Sequence, residues 1–293
     1  MTWSAEDVDP TRIRDAPLRV DTEELVGGAS SRDEPPHIGP LVPHTVRVPN
    51  RRPVRVLLST AAVALVVIAV AAALVAQGVL WPNRLFAARY EVRGVDVSAY
   101  QGTIDWPTIA RQDVDFAYVK ATEGSSFVDR QFEANLRGAR EAGLLVGAYH
   151  FFSFESSGRS QAAHVLATVP DDEDLLPVAV DVEYYGSFHD HPPDAAEVRS
   201  ELSALIEALR ARGPEPVVYA TRSAYDRYIA GGFPETPIWI RSVIVPPPAM
   251  SDGREWTFWQ YSNRDRLDGY DGEESFIDMN VFHGDLDELH ALR

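Results

Sequence analysis

From Val92 to the C-terminus the sequence alternates short apolar runs with amphipathic stretches, and few folds satisfy that alternation. Eight runs read as strands: Val92–Val97, Phe116–Lys120, Leu145–Phe151, Leu176–Asp181, Val217–Thr221, Ile238–Arg241, Thr257–Tyr261 and Ser275–Asp278. Between them Asp129–Ala142, Arg159–Thr168 and Asp194–Arg212 read as helices; in the last, Val198, Leu202, Leu205, Ile206 and Leu209 recur at helical spacing. Gly143 and Gly213 follow two of these stretches, where a left-handed residue ends a helix. Strands alternating with helices over about 200 residues predict a parallel sheet, and eight strands predict closure into a barrel. The later strand-to-strand segments are short and rich in Pro and Gly. The expected fold class is therefore α/β, an irregular TIM-like (β/α) barrel with eight strands and fewer helices.

A single transmembrane helix is expected ahead of the barrel. Val56 to Ala76 is almost wholly Ala, Val, Leu and Ile with no charge, which is long enough to cross a hydrocarbon core. Arg47, Arg51, Arg52 and Arg55 stand just before it and place the N-terminus in the cytoplasm; Trp81, just after it, suits the far interface. A cleaved signal peptide would start near residue 1 and carry a shorter apolar region, whereas roughly fifty residues precede this one. Those residues are rich in Pro, Gly, Asp, Glu and Arg, show no sustained apolar period, and read as disordered. The expected organisation is a disordered cytoplasmic tail (1–53), a signal-anchor helix (54–81), a linker (82–91) and an extracellular domain (92–293). Localisation follows: a single-pass protein of the cell membrane, with the lipid bilayer as one partner.

Composition narrows the function classes. A formal net charge of −17 argues against nucleic acid as a partner, because phosphate binding relies on a basic surface. With no cysteine there is no disulfide, thiolate nucleophile or cysteine metal site. Nothing in the sequence names a protein partner.

The chemistry gathers in acids. The run Leu176 to Glu183 reads LPVAVDVE and ends in two carboxylates one residue apart, so Asp181 and Glu183 share one face of an extended strand. Asp96 ends the first strand in GVDVSAYQG and Asp278 the eighth in SFIDMN. In barrels of this kind the active site lies at the C-terminal strand ends. Closure makes the first and eighth strands neighbours, with the fourth facing them across the mouth. Taken singly, each aspartate can be a helix cap or a buried structural acid; on one rim the four form an acidic cavity whose repulsion needs a use. Oxygen ligation of Mg or Ca is one use. The other is glycoside hydrolysis, with one carboxyl as proton donor and another stabilising or attacking the positive centre. Aromatic residues at or just after strand ends favour sugar: Tyr100, Tyr149, Phe151, Phe152, Tyr184, Tyr185, Trp259 and Tyr261. Of these, Tyr100, Tyr149, Tyr185, Trp259 and Tyr261 are the candidate substrate-binding residues. His189 and His191 have a spacing that can bind zinc, but they read as solvated loop histidines; no metal and no cofactor is expected.

From Gly94 to about His283 the sequence resembles the family 25 glycoside hydrolases, the muramidases of bacterial cell walls. The resemblance rests on six blocks in order: GVDVSAYQGTIDW, YVKATEGSSFVD, GAYHFF, VAVDVE, a Trp-Gln-Tyr block, and IDMN followed by Val281 and Phe282. It implies an irregular eight-stranded barrel and cleavage of the β-1,4 bond from N-acetylmuramic acid to N-acetylglucosamine, with the peptidoglycan glycan strand as partner. Residue by residue it implies Glu183 as general acid, Asp181 as the carboxylate assisting the reacting centre, and Asp96 and Asp278 as the other two acids. An ionised Asp181 beside Glu183 would help it hold its proton. Two acids on one strand are poorly placed to straddle a bond, which favours Asp181 steadying the substrate's own 2-acetamido group over direct attack.

The chain departs from the family at the sixth strand, where Trp-Ile-Ala with a nearby tyrosine is common and this sequence reads Trp239, Ile240, Arg241, Ser242, Val243. Arg241 either closes part of the groove or binds a lactyl or peptide carboxylate. Two other readings stand beside the muramidase: a catalytically silent peptidoglycan-binding tether, and a chitinase-like acetamido-sugar hydrolase. The second normally carries a further aspartate two positions upstream of Asp181, where this chain has Ala179.

Overall fold

The computed structural model describes residues 52–77, 81–247 and 249–293; the tail expected over 1–53 lies almost wholly outside them. Nine strands form one sheet: β1 (Arg93–Val97), β2 (Phe116–Glu123), β3 (Phe127–Val128), β4 (Leu145–Phe151), β5 (Leu176–Val182), β6 (Val217–Thr221), β7 (Ile238–Arg241), β8 (Phe258–Asp265) and β9 (Ile277–Phe282). Eight of them close into a barrel in the order β1-β9-β8-β7-β6-β5-β4-β2, with β2 pairing back onto β1. The ninth, β3, is a two-residue hairpin return on β2, too short to carry a periodic signal.

The all-parallel sheet expected from the sequence needs one correction. β1, β2 and β4 to β8 run parallel around the barrel, but β9 is antiparallel to both β8 and β1. Residues 266–276 join β8 to β9 without a helix, and a parallel return needs a crossover element that this stretch does not supply. The strand expected at Ser275–Asp278 is Ile277–Phe282, and Asp278 stands at its beginning. Reversal keeps the acid on the expected rim, because an antiparallel strand starts where its neighbours end.

Inside the barrel alternate residues build an aromatic floor. Phe116, Tyr118, Trp239, Phe258 and Phe282 pack on one another, with ring centroids of 4.9 Å for Tyr118–Trp239 and 5.1 Å for Phe258–Phe282. Such rings fit only where the facing wall is thin: a Cβ on Gly94 would stand 2.4 Å from the Phe116 ring. This layer closes the barrel below the rim and lowers the local dielectric under any group at its mouth.

Outside, helices cover only the first half: α2 (Phe132–Glu141), α3 (Gly158–Thr168) and α4 (Ala195–Arg210), numbered after the N-terminal helix α1 (Arg52–Ala76). Asp194 caps α4 by accepting from the amides of Ala196 and Glu197, and the apolar stripe read from the sequence is buried. Gly143 has the left-handed conformation expected of a helix stop (φ 86°), whereas Gly213 is not among the residues with positive φ.

After β6 comes a short helical segment, residues 222–229; among the described residues no helix follows β7 or β8, and the chain preceding the barrel covers that side instead. Trp81 is buried and donates its indole N–H to the carbonyl of Tyr261 (3.0 Å), so it is not at an interface as the sequence suggested. A short helix, Asn83–Ala87, follows. The Asn83 amide donates to the carbonyls of Ser242 (2.7 Å), Val245 (3.2 Å) and Tyr261 (3.1 Å), and Arg84 pairs with Asp265. Tyr90 packs edge-on against Trp256, Trp259 and His283. The stretch expected as linker is thus a seated part of the barrel wall. Helix α1 carries a 20-residue span, Val56–Val75, with mean hydropathy 2.7 and no buried residues, which is long and apolar enough to cross a membrane.

Candidate active site

All four acids face one cleft at the barrel mouth, with a cavity of about 340 Å³ lined also by Tyr100, Lys120, Tyr149, Tyr219, Arg241 and Asn263. Asp96 on β1 is directly opposite Asp278 on β9 in the antiparallel register. Asp181 lies across the mouth, level with Phe151 of β4 and Tyr219 of β6, and Glu183 follows just past the end of β5.

Asp96 is the best-held carboxylate. Its Oδ2 accepts from the side-chain amides of Asn280 (2.7 Å) and Gln260 (3.0 Å). Each amide is oriented from behind: Trp239 Nε1 donates to Asn280 Oδ1 (2.9 Å) and the Tyr219 hydroxyl to Gln260 Oε1 (3.0 Å). Desolvation raises Asp96 above the ordinary carboxyl range, against those two hydrogen bonds and the charge of Arg241. Asp278 is raised much further, first by desolvation and then by the negative charge of Asp96. The two carboxyls stand opposite each other in the antiparallel register, and Asp278, the more strongly raised, is the one favoured to hold a proton.

This arrangement has a stability signature. A folded-state carboxyl pKa above its unfolded value means the native state holds a proton that the unfolded chain releases, so stability falls as pH rises from about 4, the ordinary value, through the raised one. Asp278→Asn keeps the shape of the side chain and removes that titration. We expect thermal unfolding at pH 8 to move up by a few degrees in the variant and the difference to vanish near pH 3; an unchanged slope of Tm against pH would contradict a raised Asp278.

The second pair is organised differently. Asp181 is buried, its Oδ1 has no hydrogen-bond partner in the protein, and its pKa is raised well above the ordinary value, by burial first and by Glu183 next. Glu183 is also raised, again chiefly by desolvation, with Asp96 adding to the rise and Arg241 and His189 opposing it. Burial therefore favours a proton on this pair, and the charge of Glu183 beside Asp181 adds to it. An orphaned acceptor at the bottom of a sugar-sized cleft is a place for a substrate donor.

The candidate aromatics divide. Tyr100 stands exposed on the rim and Tyr149 lines the wall among the acids. Trp259 and Tyr261 do not reach the cleft: Gln260 points into it, so its strand neighbours on both sides point out, where Trp259 donates to the Ser242 carbonyl and Tyr261 packs in the outer core. Tyr185 sits behind the wall, stacked on Phe154 with its hydroxyl accepting from the Phe154 amide (2.9 Å). Sequence reasoning missed Tyr219, Trp239, Gln260 and Asn280. The last was findable, because it shares a strand face with Asp278.

The rim loop after β1 is fixed by local chemistry. Ser98 and Gln101 form a reciprocal capping box around Ala99–Gln101, holding Tyr100 outward. Asp129 accepts from the Ala99 amide (3.0 Å). Gly102 follows at φ 70°, where an added Cβ would stand 2.7 Å from Gly272 Cα, so the loop closes directly on the β8–β9 connection.

Comparisons with known proteins agree with this fold. Residues 95–270 match the model for Glycosyl hydrolases family 25. The uncharacterized protein YegX of Escherichia coli K12 is 37% identical over 220 residues, covering 72% of this chain and 78% of its own. Lysozyme M1 of Streptomyces globisporus is 33% identical over 218 residues, covering 69% and 71%. Among solved structures, a family 25 glycosyl hydrolase from Bacillus anthracis aligns with a TM-score of 0.66 at 48% identity, covering 69% of this chain and 94% of that one.

Proposed function

The chain belongs to glycosyl hydrolase family 25 and is a glycoside hydrolase, and from that premise we propose that it is an N-acetylmuramidase cutting the β-1,4 bond between N-acetylmuramic acid and N-acetylglucosamine in peptidoglycan. The observation that carries the reading is the buried acceptor of Asp181 beside a proton-retaining Glu183. A sugar with a 2-acetamido group brings an N–H donor to Asp181 Oδ1. That bond favours the ionised aspartate, and its charge then raises Glu183, so substrate binding moves the pair's proton onto the residue that must donate it. Glu183 protonates the leaving oxygen while the acetamido carbonyl, steadied by Asp181, closes on the anomeric carbon; water then opens that intermediate with Glu183 as base. Asp96, ionised and facing the pair, opposes the developing positive charge.

We further propose that α1 spans the membrane, with the arginine-flanked N-terminus in the cytoplasm and the barrel outside. The enzyme then trims wall close to the cell surface.

The test uses the full chain in mild detergent on purified cell walls. Release of new reducing ends at N-acetylmuramic acid, identified by mass spectrometry of the muropeptides, is the expected result. The rate should fall as pH rises through the raised Glu183 pKa, since the protonated acid is the active form. Binding without new reducing ends would favour a silent tether, and equal cleavage of chitin oligomers a chitinase-like enzyme.

A further inference from the structure

Arg241 is the last residue of β7, two positions after Trp239, so both project into the barrel, Trp239 as floor and Arg241 one layer above it at the cleft wall. No hydrogen bond or ion pair within the protein reaches its guanidinium among the described residues. It is half-buried and within the field of Asp96, Glu183 and Asp278, yet it sits outside ion-pair distance of every carboxylate.

The rest of the cleft makes that free cation informative. Five acids line it: Asp96, Asp181, Glu183, Glu274 and Asp278. The other basic residue on the wall, Lys120, is paired with Glu123 at 2.7 Å and lies over the Phe151 ring. A cleft of this composition repels an anionic sugar unless one group meets its charge. An arginine whose donors are unspent presents a planar fork that matches a carboxylate in two parallel hydrogen bonds, and partial burial strengthens them. Closing the groove, the other role open to this residue, would require it to bridge to the opposite wall, and no such contact is made.

We propose that Arg241 is a carboxylate-binding subsite that receives the acid carried on the 3-O-lactyl substituent of the muramic ring. The inference rests on the muramidase reading above. The acetamido group and the lactyl ether stand on neighbouring ring carbons, so a ring whose acetamido group meets Asp181 on β5 turns its lactyl arm toward an adjacent part of the wall. Two carboxylates have this chemistry: the lactyl acid itself, free once the stem peptide has been removed, and an acidic residue of an attached stem peptide.

The experiment compares wild type, Arg241→Gln and Arg241→Lys, as full chains in detergent, on three glycans. These are strands bearing stem peptides, peptide-free strands with the free lactyl acid, and peptide-free strands with that acid reduced to the alcohol. In wild type, kcat/KM on one of the two acid-bearing substrates should exceed that on the reduced strand by about 10- to 100-fold, the range of a charge-assisted pair; which one identifies the source of the acid. In Arg241→Gln that ratio should collapse to about one, carried by KM, and Arg241→Lys should restore part of it. A uniform loss on all three substrates, with a displaced pH profile, would overturn the proposal and make Arg241 a tuner of the neighbouring acids. No loss on any would overturn it as well. A wild type that cuts none of the three fails the muramidase reading instead, which keeps the two failures apart.

Discussion

Glu183→Gln is expected to lower kcat on peptidoglycan by about 10³-fold while leaving the barrel folded and the affinity for glycan nearly intact. Removing a positioned general acid costs roughly 10²- to 10⁴-fold, and an unactivated sugar alcohol as leaving group belongs toward the upper part of that range. Glutamine preserves shape and a hydrogen-bond donor but cannot release a proton, so the loss belongs to kcat. The fold should not suffer, because the native carboxyl sits above its ordinary pKa through desolvation, and a neutral amide removes that cost. Circular dichroism and Tm report the fold, and binding to insoluble walls reports affinity. Near-wild-type turnover would move the acid to Asp181, the more deeply buried partner. Asp181→Asn separates the roles further: if Asp181 steadies the acetamido group, wild type should lose activity on N-deacetylated strands and Asp181→Asn should lose it on acetylated ones, with the two losses not adding.

The barrel was legible in the sequence because its evidence is local. Each strand carries its own apolar period, and helix α4 shows its buried stripe and cap within twenty residues. The acids were legible because strand ends and ring closure place them without any knowledge of side-chain contacts. Direction was harder: nothing within Ile277–Phe282 distinguishes a parallel strand from an antiparallel one, and only the missing helix in residues 266–276 bears on it. The aromatic assignments failed through parity. Trp259 and Tyr261 flank an inward Gln260, so treating all residues near a strand end as rim residues put both on the wrong face. The supporting layer behind Asp96 was out of reach, since the Trp239–Asn280 and Tyr219–Gln260 pairs join residues 41 positions apart. Arg241 shows the opposite case. The departure was plain in the sequence, but its meaning depends on having no partner, which only the packed cleft displays.

Removing residues 81–91 is expected to do to stability what Glu183→Gln does to turnover. A domain cut at residue 92 keeps every strand and every acid, but it loses the segment that stands where β7 and β8 lack helices. Burying the Trp81 ring contributes about 2–3 kcal/mol, its hydrogen bond about 1 kcal/mol and those of the Asn83 amide about 1 kcal/mol together, and the Tyr90 contacts with Trp256, Trp259 and His283 about 1 kcal/mol. The sum, roughly 5 kcal/mol, is comparable with the whole stability of many domains. It also bares Trp259 and Tyr261, now known to be outer-face residues, as an apolar patch that favours aggregation. At about 2–4 °C per kcal/mol for a domain of this size, a chain of residues 92–293 should unfold some 10–20 °C below a chain of residues 80–293, or precipitate on expression. Asn83→Ala in the longer chain should account for about 2–4 °C of that, because it strips donors from three carbonyls at once. Equal melting temperatures for the two chains would return the segment to the role of a passive linker. If the shorter chain melts early, the residues that follow the apolar helix are part of the enzyme, and the barrel is joined to that helix by only the few residues between Ala76 and Trp81.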